Sequence, residues 1–344
     1  MSTEKYIRKH LRPEFRETLV PVILQLREDL LRLDIEKLDL APYQKSYFLK
    51  HHIKRVDFSL VYSARLLCEV ADQLKKPFAE INLVDLGAGM GTSYLLAARL
   101  GFRSVVYNDI VDDSCRDAAK LCGILGVELT QFVTGDLEAV KSKMKESHTE
   151  LNALISRNVI EHLPDLNSFY FSLSSEEMVV VQGTSANPYN PLMALWHARL
   201  HLKYEPIFRK RRLQMIVKHD PNLETLMARK IAAATREYYG RKLLAVVDEY
   251  RRTKKIVAPK LYVLNTVEPE TGSWNERILT KGNYDEFAIP NGFDTKVIAG
   301  FWDESYSSVF RRLIGKCLNM VISLSDQLGL FLSPFMIVVN RKKK

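Results

Sequence analysis

Between Val84 and Ser93 the chain reads Val-Asp-Leu-Gly-Ala-Gly-Met-Gly-Thr-Ser: an apolar run with one acid, three glycines in five residues, then a helix-patterned stretch from Ser93 to Leu100. Glycine enters the left-handed backbone region freely and lets another group lie against the main chain. The segment therefore predicts a buried strand turning sharply into a helix whose free N–H groups face a ligand. The spacing of Gly87, Gly89 and Gly91 is Gly-x-Gly-x-Gly, with Thr92 in place of the last glycine of a Gly-x-Gly-x-x-Gly loop. No Gly-Lys-Ser/Thr comes after it, so the segment is not a P-loop. Asp109 ends the next strand-like run, where a carboxylate accepts hydrogen bonds from both ribose hydroxyls of an adenosine.

The flanking sequence shows how such a turn is framed. Apolar positions recur at helical spacing over 14–35 and 43–75, which predicts an all-helical N-terminal region. Short strand-like runs then alternate with helix-patterned stretches: 81–86, 104–109, 128–136, 151–158 and 177–184. That alternation predicts βαβ units and a parallel sheet covered on both faces. It breaks at Pro188 and Pro191, beyond which two long basic helices are expected, spanning about 193–217 and 223–255. Strand-like runs return at 293–302 and 335–342, separated by a helix-compatible stretch from 307 to 332, and should complete the sheet.

An acid followed by a Gly-x-Gly-x-Gly turn resembles the first motif of the class I S-adenosylmethionine-dependent methyltransferases. The likeness extends to Asp109, to Asp136 in Val133–Leu137, to Ser156–Asp165 after the fourth strand, and to the Asn291-Gly292-Phe293 turn. It covers about 81–184 and 281–342. The resemblance implies an α/β fold: a Rossmann-like, doubly wound, mostly parallel seven-stranded sheet with an N-terminal helical cap and a helical insertion after the fifth strand. It divides the chain into a cap (1–80), a cofactor-binding core (81–187), a basic lid (188–258) and a completing part (259–344). S-adenosylmethionine is the implied cofactor, held by Asp85, Gly87, Ala88, Gly89, Gly91, Asp109, Asp136 and Asn158, with Asp85 near its ammonium, Asp109 at its ribose and Asp136 at its adenine edge.

His162, just beyond the fourth strand, is the candidate general base, because imidazole titrates near neutrality; a histidine packing beside Glu161 is the alternative. Tyr43, Tyr47, Phe48, His51 and His52 form either a roof over the cleft or a core stripe. Trp274, Trp302, Trp196, His197 and His201 divide likewise between pocket lining and packing. The segment after the fourth strand lacks the Asp/Asn-Pro-Pro-Tyr/Phe signature of base-modifying amino-methyltransferases, and Asn187-Pro188-Tyr189 reads as a loop.

The chain's surplus of 50 basic over 41 acidic residues is concentrated from Pro191 to Lys255, which holds 16 basic and 6 acidic residues. This favours an anionic acceptor, either a small molecule, a glycan or a lipid headgroup met at a membrane surface; RNA is the runner-up partner. A cofactor-binding regulator without catalysis is a third reading. The four consecutive cations Arg209 to Arg212 point around a helix, so much of this charge is expected to be solvated. The four cysteines, Cys68, Cys115, Cys122 and Cys317, lack C-x-x-C spacing, so no metal site is expected from them and reduced thiols in a cytoplasm are. The first twenty residues lack a leader-like apolar core, and the 14 uncharged residues Gln327–Asn340 fall short of the about 20 that span a bilayer.

Overall fold

The computed structural model describes residues 2–173, 177–257, 265–306 and 308–343. Seven strands, β1 (Asn82–Leu86), β2 (Ser104–Asp109), β3 (Gln131–Thr134), β4 (Ala153–Arg157), β5 (Val179–Thr184), β6 (Phe293–Ala299) and β7 (Met336–Lys342), form one sheet in the order β3-β2-β1-β4-β5-β7-β6. The first five pair in parallel, and β7 runs antiparallel between β5 and β6. This is the expected Rossmann-like, mostly parallel arrangement. After β1 the chain builds outward to β2 and β3, then returns to lay β4 on β1's other side. That reversal opens a crevice at the carboxyl ends of β1 and β4.

The central strands are apolar at nearly every position because both faces are covered. Leu83, Val105, Ile155, Val181 and Ile337 point into one core, shared with the N-terminal helices. Val84, Val106, Leu154, Val180 and Val338 point into the other, beneath the helices Leu166–Ser172 and Lys281–Ala288. The edge strand β6 instead exposes Asp294 and Lys296.

The N-terminal region is helical as expected, with helices Thr3–His10, Arg16–Arg32, Pro42–His51 and Val56–Leu74. The last is buried almost throughout, and its Tyr62 ring lies where a side chain at Gly183 of β5 would stand. No described helix is long and apolar enough to cross a membrane.

Three helices, Pro191–His219, Thr225–Ala234 and Gly240–Thr253, replace the two expected after Pro191. The break has a local cause: the Thr235 hydroxyl donates back to Ile231 O at 2.7 Å, and Gly240 N donates to Pro269 O at 2.8 Å, so the returning chain holds the bend. These helices share a small core of Ile216, Ile231, Leu243 and Val247. The expected boundary at 258/259 lies outside the described residues, as does residue 307 at the head of the expected 307–332 helix. The rest of that stretch forms two helices, Val309–Ile322 and Asp326–Leu332, in place of one.

One basic cluster differs from expectation. Within the run from Arg209 to Arg212, Arg212 is fully buried rather than solvated. Its Nε donates to Ala232 O at 2.9 Å and its Nη2 pairs with Glu205 at 2.5 Å, fastening the first insertion helix to the second. The guanidinium stays charged because arginine does not deprotonate in proteins. Arg212→Ala removes the cation beside Glu205, which keeps only the Thr266 hydroxyl, and leaves a buried carbonyl unmatched; it should lower stability by about 3 kcal/mol. Urea unfolding combined with hydrogen exchange should show lost protection confined to 191–253; unchanged stability would contradict the staple.

Candidate functional site

The crevice at the ends of β1, β2 and β4 is a cleft of about 390 Å³. Its floor is the glycine turn. Gly87 and Gly89 have φ of +61° and +50°, and a Cβ at Gly87 would stand 2.7 Å from a Val159 methyl. Only glycine fits both conditions. Ala88 N donates to Asn108 O at 2.8 Å and the Tyr107 hydroxyl to Gly89 O at 2.9 Å, so β2 holds the turn open.

Asp109 takes part in that support. Its two carboxylate oxygens accept from Gly89 N at 2.9 Å and from Val111 N at 2.8 Å. Burial raises its pKa, opposed by these backbone donors. Each oxygen retains acceptor capacity toward the cleft.

Asp85, at the end of β1, is 3% exposed, and burial pushes its carboxyl up to about 8, opposed by a backbone hydrogen bond at Tyr94. The Asp109 charge adds to the rise and Arg157 opposes it. Arg157, at the end of β4, donates from Nη1 to Ser59 Oγ at 3.1 Å and lies 4.4 Å from the Tyr62 ring centroid. It makes no ion pair among the described residues, and burial lowers its pKa. Its neighbour Asn158 is at φ +55°, which asparagine tolerates better than most residues. Asn158 N donates to Gly183 O at 2.7 Å and its Oδ1 accepts from Ser185 N at 3.2 Å.

The helix Pro42–His51 roofs the cleft with Tyr43, Gln44 and Tyr47. Gln44 Nε2 donates to Ser114 Oγ at 2.8 Å, bridging the opening. A hydroxyl network ties this cap to the glycine turn: Ser59 Oγ lies 2.7 Å from His52 Nδ1 and 3.1 Å from Thr92 Oγ1, which is 2.9 Å from Ser63 Oγ. Burial holds His52 well below the usual histidine range, so it is neutral. The aromatic stripe therefore divides. Tyr43, Tyr47 and His52 line the cleft, Phe48 is core, and His51 packs on Tyr47 with ring centroids 4.6 Å apart.

Asp85, Gly87, Ala88, Gly89, Gly91, Asp109, Asn158 and His162 all line this one cleft. Asp136 stands apart: it is exposed and caps the helix Leu137–Glu146 by accepting from Ala139 N at 3.1 Å. Trp302 packs away from the cleft, its Nε1 donating to Leu332 O at 2.8 Å, and Trp196 is exposed. Trp274 is buried and its carbonyl accepts from His162 Nδ1 at 2.8 Å, which leaves the His162 lone pair on Nε2. His201 is satisfied at both nitrogens, by Glu276 O and Thr266 N. Arg157 lies inside the Ser156–Asp165 motif with no role assigned to it there, and the motifs do not reach Gln44, Ser59 and Ser114. Only Arg157 carries a signal in the sequence, an arginine closing a strand that begins Ala-Leu-Ile; the others depend on helix packing that no local pattern encodes.

No family model matches this chain, and no curated protein does. Among solved structures it is similar to an S-adenosylmethionine-dependent methyltransferase from Clostridium acetobutylicum, at 8% identity, covering 88% of this chain and 100% of that one with a TM-score of 0.45. It is also similar to one from Mesorhizobium loti, at 11% identity, 80% and 96% coverage and a TM-score of 0.36. A variant of MtNAS solved with S-adenosylmethionine matches at 16% identity, 53% and 66% coverage and a TM-score of 0.30. At these identities and scores the likeness fixes no activity.

The raised Asp85 pKa has a measurable consequence. A ligand that places an α-ammonium against Asp85 binds the carboxylate form, so below about pH 8 binding requires Asp85 to lose its proton. Affinity for S-adenosylhomocysteine should climb from about pH 6 to about pH 8, by up to about tenfold per unit. It should then turn over as the ligand's own amine, near about 8, loses its charge. Calorimetric titrations across this range should show the climb in the wild type and its loss in Asp85→Asn. A flat wild-type profile would remove Asp85 from the ammonium site.

Proposed function

We propose that this chain is an S-adenosylmethionine-dependent methyltransferase acting on an oxygen or nitrogen of a small-molecule, glycan or lipid-linked acceptor. One observation carries the reading. An acid without a cation in contact, Asp85, and a guanidinium without an acid, Arg157, line the same cleft as a ribose-type carboxylate, Asp109. An unpaired carboxyl and a fixed cation held apart suit the ammonium and carboxylate of an amino acid, the ammonium drawing the proton off Asp85, and the glycine turn between Asp85 and Asp109 suits a nucleoside joined to it. Tyr43, Tyr47, Ile110 and Val111 provide apolar walls for an adenine.

The cofactor supplies a methyl carbon activated by a positive sulfonium. The chain's own residues bind and orient it, and orientation contributes heavily to a displacement of this kind. His162 lines the cleft and, with Nδ1 committed to Trp274 O, presents Nε2 as a hydrogen-bond acceptor for an acceptor's O–H or N–H. The lid is tethered beside it by an ion pair of 2.7 Å between Lys242 and Asp165.

Two observations favour a small or lipid-linked acceptor over RNA. Five of the insertion's sixteen basic residues, Arg211, Arg212, Lys242, Arg251 and Arg252, are already paired with acids of the protein itself. The helix Val309–Ile322 also exposes Val309, Phe310, Leu313 and Met320 interleaved with Arg311, Arg312 and Lys316, a pattern suited to an anionic membrane surface.

Calorimetry should detect binding of S-adenosylmethionine and S-adenosylhomocysteine and none of nicotinamide dinucleotides. Asp109→Ala should weaken the former by about 1.5 to 3 kcal/mol, the range for hydrogen bonds to a charged group. Unchanged affinity in that variant, or preferential dinucleotide binding, would overturn the proposal.

A further inference from the structure

The turn Ile160–His162 after β4 faces the chain returning from the insertion at 273–278, and three hydrogen bonds clamp the assembly. Arg277 N donates to Glu161 O at 3.0 Å, His162 Nδ1 to Trp274 O at 2.8 Å, and His201 Nε2 to Glu276 O at 2.8 Å. The clamp brings a carboxylate oxygen of Glu161, a ring nitrogen of His162 and a carboxylate oxygen of Glu276 within 4.8 Å of one another.

These groups are poorly satisfied by the protein itself. Glu161 is 0% exposed, and neither of its carboxylate oxygens has a hydrogen-bond partner of normal geometry among the described residues. Burial and then the Glu276 charge push its carboxyl up to about 8, and its own backbone N–H, the Thr184 hydroxyl and the Ser185 N–H oppose the rise only in part. His197 approaches from the insertion helix Pro191–His219 and is 5% exposed. Its Nε2 donates to Ser185 O at 3.0 Å, so Nδ1 carries the lone pair of the neutral ring. That Nδ1 also lacks a hydrogen-bond partner and stands 3.9 Å from Glu276 Oε2. The Ser185 hydroxyl reaches Glu276 Oε2 at a long 3.5 Å.

Two carboxylates and two imidazoles thus converge with few donors among them. Buried acceptors left unmatched are strongly unfavourable, and adjacent like charges more so. One shared proton can bridge one pair of atoms; a divalent cation can satisfy the whole group. Each imidazole also donates its other nitrogen's proton to a backbone carbonyl, the outer contact that orients metal-ligating histidines and raises their basicity. Ligation of His162 through Nε2 would preserve its bond to Trp274. A mixed nitrogen and oxygen donor set suits Zn²⁺ or Mn²⁺, whereas Mg²⁺ and Ca²⁺ prefer oxygen alone.

We propose that Glu161, His162 and Glu276, with His197 Nδ1 beside them, form a binding site for a divalent first-row transition-metal ion. The site needs both the turn after β4 and the chain returning at 273–278, and only its neighbour His197 comes from the insertion helices. Because His162 lines the cleft, the ion lies next to the acceptor end; with the ion bound, Nε2 is occupied, so the acceptor's oxygen would meet the ion's remaining positions instead of that nitrogen. This last step rests on the methyltransferase reading, and the metal site itself does not.

Equilibrium dialysis of the chelator-stripped full-length protein against Mn²⁺, Zn²⁺ and Mg²⁺ in turn, with metal analysis, tests the site. The expected result is one equivalent of Mn²⁺ or Zn²⁺ per chain and markedly weaker Mg²⁺. Glu161→Gln and Glu276→Gln should each weaken binding by at least about tenfold. Circular dichroism checks the fold of both, and Glu276→Gln, at a partly exposed position, serves if the buried variant does not fold. No stoichiometric Mn²⁺ or Zn²⁺ binding by the wild type, or binding undiminished in the folded variants, would overturn the proposal. S-adenosylhomocysteine affinity measured on the same stripped protein separates the two readings: retained cofactor binding without metal binding sinks the metal site alone, and the converse sinks the cofactor assignment alone.

Discussion

Asp85 and Arg157 end adjacent parallel strands, largely removed from water and without an ion pair between them. Stability alone does not explain this, because an ionisable group in a low-dielectric site is unfavourable unless paired or neutralised. The fold responds by leaving Asp85 protonated near neutrality and by setting Arg157 against Ser59 and the Tyr62 ring. Both positions result from the strand order, since β1 and β4 are neighbours only because the sheet reverses direction between them. The glycine turn, the cap helices and Asp109 then close around this polarised point.

The N-terminal helices contribute more than a cover. Ser59 and Ser63 of the helix Val56–Leu74 reach the Thr92 hydroxyl, and Ser59 also receives Arg157. A single buried hydroxyl network therefore couples the cap, the glycine turn and the end of β4. Networks of this kind tie local geometry to distant packing. Displacing the cap would release both the roof residue Tyr47 and the orientation of Arg157.

Legibility in the sequence tracks the range of the physics. The sheet is readable because Val84, Val106, Leu154 and Val180 sit in short apolar runs bounded by helix-patterned segments, and the glycine turn because Gly87 and Gly89 meet a local backbone requirement. Asp136 has the right place in the order of motifs, yet its carboxylate is occupied as a helix cap. The break at Thr235–Gly240 is hidden because Pro269, which holds it, is distant in sequence. Arg212 looks like its solvated neighbours, since burial of one cation among four depends on Glu205 and Ala232. Glu276 draws no notice for the same reason: its closeness to Glu161 comes from the return of the insertion.

On the proposed function, one cleft holds a nucleoside-linked amino acid with its charged end between Asp85 and Arg157. A crystal structure of the protein with S-adenosylhomocysteine tests it most directly. The ligand ammonium is expected at Asp85, directly or through one water, its carboxylate at Arg157, its ribose hydroxyls on Asp109 and its adenine beneath Tyr43 and Tyr47. A ligand bound in the reverse direction, or bound elsewhere with Asp85 and Arg157 untouched, would contradict it.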